Sequence, residues 1–293
     1  MLANRQKLIL GLAVLVAVAI WLTVALHGER PLEVTFLDVG DGLCIVVRSP
    51  SGTTLVMDCG TATWRKSETI GEKLVAPYLQ SMGVDTIDVA VLSHPHADHV
   101  SGYAGLLRLK PAKLVLDIGA RHGSPYYHRF LEAVKESGAK YRIAKRGQSI
   151  DLGGGVTAEV LNPDPAREYI DLNNNSIVLR IVYKNATFLL AADAEAEAER
   201  DMLASCGRLR SQVLQVGHHG SERASTPEWL YAVRPEIAVI SCARQSRYGH
   251  PSEEVIDRLN SLRSRVYTTG EHGAVTITTD GETVSVCTHR KPR

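Results

Sequence analysis

Val89-Ala90-Val91-Leu92-Ser93-His94-Pro95-His96-Ala97-Asp98-His99 is the stretch that decides how this chain is read. Its first four residues are apolar and read as a buried strand. Pro95 biases His94 toward extended backbone, so His94 and His96 leave the same side of the chain at the mouth of that strand. A helical pattern over residues 100–109 follows, and the turn into it sends Asp98 and His99 the other way. Two imidazoles can then hold one metal ion while a carboxylate and an imidazole hold a neighbour. Neutral imidazole and carboxylate suit Zn²⁺ or Mn²⁺. With eleven histidines in 293 residues, such a run arises by chance on the order of once per thousand chains of this composition. A metal site therefore outweighs a surface turn with stray histidines.

Outward from this stretch, short apolar runs ending in turn signals recur from residue 32 to the C-terminus. Between them, helical periodicity appears over 70–82, 100–109, 125–136, 194–204, 227–233 and 252–262. The order is β-β-β-α-β-α-β-α, then several adjacent strands, then β-α-β-α-β-α-β and a closing strand pair. Two mixed sheets packed face to face with helices outside satisfy it. No composition shift or internal repeat after residue 31 divides the chain, so residues 31–293 read as one domain.

Residues 1–30 differ. Arg5 and Lys7 precede an uncharged apolar run over 8–26, broken by His27-Gly28-Glu29-Arg30-Pro31. Nineteen residues at the helical rise span roughly 28 Å, close to the thickness of a bilayer's hydrocarbon core. The run reads as one transmembrane anchor with the rest of the chain outside the cytoplasm. A cleaved signal peptide, with Thr23-Val24-Ala25 as a weak cleavage site, is the rival and implies secretion. Lys+Arg 33 against Asp+Glu 32 gives a net charge of +1, which excludes binding a nucleic acid by bulk charge. Five cysteines without a CxxC spacing exclude a thiolate zinc site, and Cys44, Cys59 and Cys242 read as small core residues.

His94-Pro95-His96-Ala97-Asp98-His99 resembles the signature of the metallo-β-lactamase superfamily, whose fold is an αβ/βα four-layer sandwich. Other segments narrow the likeness. Phe36-Leu37-Asp38-Val39-Gly40-Asp41-Gly42, Asn174-Asn175-Ser176-Ile177-Val178-Leu179 and Leu190-Ala191-Ala192-Asp193-Ala194-Glu195 occur in that order. Val216-Gly217-His218-His219-Gly220-Ser221 and Tyr248-Gly249-His250-Pro251 follow. Together they are similar to the extracellular hydrolase domain of the ComEC-type competence protein family, over about residues 32 to 288.

The resemblance implies two divalent metal ions, Zn²⁺ or Mn²⁺, held by His94, His96, Asp98, His99 and Asp193, with Asp193 as the bridging carboxylate. One of His218 and His219, with His219 favoured, completes the second ion's ligands. His250 is either an alternative ligand or a contact to a substrate phosphate. The family's Asn-rich segment stands where many superfamily members place a third histidine on the first metal. Asn174 and Ser176 are accordingly expected at the substrate, while His122 and His128 are expected at the surface. Gly40-Asp41-Gly42 replaces a usual Gly-Gln-Gly, and Ala191-Ala192-Asp193 a usual Thr-Gly-Asp. Members of that family carry a polytopic channel, whereas one span is expected in this sequence, so a transport role is not carried over and a DNA-uptake channel is an expected partner.

Two ions about 3.5–4 Å apart activate a bridging water and clamp an attacked oxygen, which suits phosphodiester hydrolysis. Asp98 or Asp193 would orient the water, and His218, His219 or His250 would assist the leaving oxygen. The expected substrate is DNA, with a small phosphodiester of the phosphorylcholine type or another ester as the alternative. A non-catalytic DNA-binding scaffold is a third reading. Ten Lys/Arg between residues 108 and 146 oppose only Asp117, Glu132 and Glu136, with Tyr126, Tyr127, Phe130 and Tyr141 interleaved. They form either a base-stacking phosphate track or a solvated helix face with its rings turned inward. Arg244 and Arg247, just before His250, are placed to meet a substrate phosphate.

Overall fold

The computed structural model describes residues 30–62, 68–167 and 169–291, with residues 6, 9, 11, 13–16 and 18 before them. Most of the apolar run expected to be an anchor lies outside the described residues. Its described positions are helical and exposed. Among the described residues, no helix is long and apolar enough to cross a membrane.

The first sheet has eight strands in the order β15-β14-β1-β2-β3-β4-β5-β6, and the second has seven in the order β13-β12-β11-β10-β9-β8-β7. In the first, β3 (Thr54–Met57), β4 (Ile87–Val91), β5 (Ala112–Asp117) and β6 (Lys140–Ile143) run parallel. In the second, β10 (Ala186–Leu190), β11 (Val213–Gln215), β12 (Ile237–Ile240) and β13 (Arg265–Thr268) do the same. The remaining strands are antiparallel: β1 (Leu32–Phe36), β2 (Ile45–Arg48), β7 (Ser149–Asp151), β8 (Val156–Asn162), β9 (Val178–Tyr183), β14 (Val275–Thr279) and β15 (Val284–Thr288).

Side-chain alternation explains the layers. From β4, Val89 and Val91 enter the core between the sheets, whereas Ala90, and Leu92 just after the strand, enter the core beneath the helices outside. In β12, Ile237 and Val239 point inward, and Ala238 and Ile240 pack under the other helix layer. Strands covered on both faces must be apolar throughout, which is why they read as continuous hydrophobic runs. Each buried Val, Leu or Ile side chain contributes about 1.5–3 kcal/mol. The result is helices, sheet, sheet, helices: the four-layer sandwich that was expected. Cys44, Cys59 and Cys242 are buried as expected.

Three local expectations need correction. The helix expected over 100–109 is two helices, α2 (Ala97–Val100) and α3 (Tyr103–Leu109). The helix expected over 70–82 is a π-helical stretch at Gly71–Val75 running into α1 (Ala76–Ser81). Strands β6 and β7 were not expected from the sequence. Both close a sheet edge and expose nearly every residue, so they lack the apolar pattern that marks the buried strands.

Candidate metal centre

The parallel strands of both sheets end at one rim, and the metal-ligating residue types lie on the loops there, where open α/β sheets bind ligands. His94 follows β4 and is fully buried. The Ser93 hydroxyl donates to Asp58 Oδ2 at 2.7 Å, so its oxygen accepts from His94 Nδ1 at 3.0 Å. His94 Nε2 then carries the lone pair and meets His96 Nδ1 at 2.9 Å. His96, in extended backbone, precedes α2, whose first turn carries Asp98 and His99. His99 Nδ1 donates to Asp58 at 2.7 Å and directs Nε2 to within 3.1 Å of Asp193 Oδ2.

Close backbone packing holds this turn in place. Leu43 N–H donates to the Asp98 carbonyl and Cys59 N–H to the His99 carbonyl. A Cβ on Gly60 would lie 2.4 Å from the Asp98 carbonyl carbon, so only glycine fits there.

The second sheet supplies the other half. Asp193 follows β10. Gln215, at the end of β11, accepts from Ala192 N–H and donates to the Ala192 and Val216 carbonyls. His218 and His219 occupy a Gly217–Gly220 turn with φ of 46° and 55°, left-handed backbone that costs of order 1–3 kcal/mol per residue. The strain splits the pair. His219 Nδ1 donates to the Ser241 carbonyl at 2.8 Å, which turns its Nε2 to the two carboxylates, 3.4 Å from Asp98 and 3.6 Å from Asp193. His218 Nδ1 instead meets Glu195 Oε1 at 2.8 Å, and its Nε2 lies 3.7 Å from Asp193. Glu195 also pairs with Arg223 at 3.1 Å.

One ligand atom from each of Asp98, His99, Asp193 and His219 lies within 4.8 Å of the others. His99 Nε2, His219 Nε2 and Asp193 Oδ1 are buried without a hydrogen-bond partner, a costly state unless a cation joins them. Burial works against the Asp193 anion, yet the imidazoles of His99, His219 and His218 hold its carboxyl well below the usual range. Asp98, opposed by burial and favoured by His99 and His219, is lowered too. Burial, with His99 nearby, keeps His94 neutral and fit to ligate. Against burial, the same carboxylates raise the proton affinity of His99, His219 and His218, so a divalent cation bound here would take the place of imidazole protons. Ionised carboxylates, imidazole nitrogens and orphaned buried atoms at one point are a donor set for divalent cations.

The structure thus brings together His94 and His96 as one pair and Asp98, His99, Asp193 and His219 as an adjoining cluster. His250 stands outside the donor cluster, its ring 5.8 Å from that of His218 and 6.5 Å from that of His219. The residues expected at the substrate have these partners. Asn174 Oδ1 accepts from the N–H groups of Glu195 and Ala198 and so fastens the start of α5 (Ala196–Ser205). Ser176 is fully buried, with Oγ 3.3 Å from His94 Nδ1, so it orients a ligand. Arg247 donates to the Ala62 carbonyl at 2.8 Å, and its N–H donates to Asp41. Arg244 is exposed on the same loop. Asp41, which stands in place of the family's Gln, joins the first loop to this one through Ala243 N–H.

Of the rings among the basic residues over 108–146, Tyr127 and Phe130 are buried in the core. Tyr141 donates to the buried Asp117, and Tyr126 lies under the Arg129 guanidinium at 5.1 Å. His122, expected at the surface, lies with its ring 6.2 Å from that of His96. Sequence reasoning also passed over Asp58, Gln215 and Glu195. Asp58 did carry a signal: it ends an apolar strand, as Asp193 does.

A family model of the Metallo-beta-lactamase superfamily matches residues 37–244. ComE operon protein 3 of Bacillus subtilis (strain 168) is 29% identical over 256 residues, 83% of this chain and 32% of that protein. Competence protein ComA of Neisseria gonorrhoeae is 32% identical over 248 residues, 84% of this chain and 32% of that protein. The chain therefore spans about a third of the length of these relatives. The metallo-beta-lactamase fold protein YhfI from Bacillus subtilis superposes with a TM-score of 0.54 at 13% identity, covering 88% of this chain and 100% of YhfI; that likeness is one of fold. The family match begins before Asp58 and ends beyond His219, so it takes in both halves of the metal centre: the chain belongs to the metallo-beta-lactamase superfamily.

Proposed function

We propose that the protein is a metal-dependent phosphodiesterase that cuts DNA outside the cytoplasm. The convergence of Asp98, His99, Asp193 and His219 within 4.8 Å, beside the His94–His96 pair, carries this reading. Divalent ions bound by these six residues would supply Lewis acidity toward phosphate oxygens and water. Asp98 and Asp193 orient the attacking water as acceptors. His218, one-fifth exposed and backed by Glu195, is placed to pass a proton to the departing oxygen. His250 flanks His218 and is placed to contact the phosphate.

Two observations favour a polymer over a small ester. A cleft of about 730 Å³ lined by Arg121, Lys145 and Arg167 against the single acid Asp164 opens among the loops at the same rim. Two relatives bear the names of a competence protein and a com operon protein. Membrane attachment is part of the proposal. Arg5 and Lys7 precede the apolar run, and Ile9, Val14, Leu15, Val16 and Val18 are 46–68% exposed, surface that a bilayer would cover.

The full chain in detergent, loaded with Mn²⁺ or Zn²⁺, is offered single-stranded DNA, double-stranded DNA and bis-(p-nitrophenyl) phosphate. DNA cutting abolished by chelator is expected. Ester turnover without DNA cutting would replace DNA with a small phosphodiester. Salt-sensitive DNA binding without turnover would leave a scaffold.

A further inference from the structure

The end of the sandwich opposite the metal centre carries a second built feature. An open cleft of about 680 Å³ lies where β10, β11 and β12 begin, and Thr187, Gln212 and Glu236 line it. Four arginines, Arg180, Arg208, Arg210 and Arg234, line it against the single acid Glu236. Arg208, Arg210 and Arg234 are exposed, and none has a carboxylate partner among the described residues. Arg180 is only 9% exposed; Nη1 reaches Glu159 at 3.1 Å, while its buried Nε has no partner. Gln212 Oε1 is also buried and unpartnered. Arginine forks in this density suit a phosphate.

We propose that this cleft binds the phosphate of an anionic phospholipid headgroup and holds the metal centre facing away from the membrane. Position selects the lipid. The chain enters the first sheet at Leu32, which pairs with Thr279 at the same end. The adjoining Gly281 carbonyl accepts from Asn185 N–H, and Asn185 lines the cleft. The arginines thus lie on the end from which the chain leads back to the apolar run over 8–26. Beside them, at the end of α6 (Pro227–Val233), Tyr231 is 69% exposed with the Arg234 guanidinium 5.6 Å above its ring. Exposed tyrosine is favoured at the headgroup level of a bilayer, and a guanidinium beside it suits the phosphates there. A nucleic-acid track is the weaker reading because the cleft and the metal centre occupy opposite ends of the same strands.

The choice of lipid rests on the membrane attachment proposed above, so the test has two arms. In the first, the full chain in nanodiscs of phosphatidylcholine, or of an equimolar mixture with phosphatidylglycerol, is followed by hydrogen exchange. Protection of residues 206–212 and 231–236 is expected only with phosphatidylglycerol, and is expected to vanish in the R208Q/R210Q/R234Q variant. In the second, the detergent-solubilised chain is titrated with dihexanoyl phosphatidylglycerol, inorganic phosphate or an oligonucleotide. At about fivefold per arginine near an anionic surface, the triple variant is expected to bind the short-chain lipid roughly 100-fold more weakly. A chain that fails to enter nanodiscs but binds the short-chain lipid would overturn the attachment and spare the cleft. Equal protection in both nanodiscs, or saturation by inorganic phosphate or oligonucleotide without a lipid effect, would overturn the proposal.

Discussion

Asp58 and His99 meet through a 2.7 Å contact between Oδ2 and Nδ1, with both side chains fully buried. This bond fixes which imidazole nitrogen carries the proton and aims Nε2 at Asp193. Outer partners of this kind tune ligand basicity and orientation. Asp58 has φ of 60°, a conformation asparagine also tolerates, so Asp58→Asn removes the charge without forcing the backbone. Metal affinity is expected to fall ~10–100-fold, read by competition with a chelating dye. Unchanged affinity would show that Asp58 serves only the fold.

The two adjacent histidines should separate metal binding from turnover. His219→Ala removes a buried lone pair from the four-residue cluster, so elemental analysis should find less bound metal and activity should go with it. His218→Ala should keep the metal content and lose ~10²–10⁴-fold in turnover, the usual worth of a positioned proton donor. Metal at a hundred times its dissociation constant stabilises by about 2.7 kcal/mol. The melting temperature of the His218 variant should therefore still rise with added Mn²⁺ or Zn²⁺, while that of the His219 variant rises less. Equal metal loss in both variants would refute this division of labour.

Why the sequence showed the ligands but hid their supports follows from spacing. His94, His96, Asp98 and His99 fall within six residues, and the run leading into them, Val89 to Leu92, is apolar because both its faces are covered. Asp58 acts across 41 residues on His99, and Gln215 across 23 on Ala192. No local pattern records such pairings. The break between α2 and α3 is tertiary as well. A Cβ on Gly102 would stand 2.8 Å from Gly71 N and 2.9 Å from the Cys59 carbonyl, a closeness that periodicity does not register. His122 is a loop histidine, and only the fold brings that loop to His96.

Asn174 illustrates the same limit with a measurable consequence. The family resemblance put it at the substrate, and in the fold its oxygen accepts two backbone N–H groups, each at 3.1 Å, where the chain leaves Asp193 for α5. Asn174→Ala strands both donors in a buried place and is expected to cost about 2–4 kcal/mol. Urea unfolding should show the loss, with KM for DNA unchanged in the protein that remains folded. A raised KM at undiminished stability would return Asn174 to the substrate.

Glu199, on the same helix, gives the fold a pH dependence of its own. It is 1% exposed, and burial pushes its carboxyl up from 4.5 to about 7, against hydrogen bonds from Ser225 N–H, Thr226 N–H and Thr226 Oγ–H that favour the anion. A folded-state value above the unfolded one means the folded chain holds the proton more tightly. The associated stability is fully present below 4.5 and is lost as pH rises through about 7. At 1.36 kcal/mol per unit the full change is about 3 kcal/mol. Glu199→Gln cannot ionise, so the stability of the parent relative to this variant should decline by about that amount between pH 4.5 and about pH 8, measured by urea unfolding with chelator present throughout. The comparison cancels the titration of the metal-centre residues, which the two proteins share. A constant difference across that range would mean that the three hydrogen bonds outweigh burial and that Glu199 is ionised throughout.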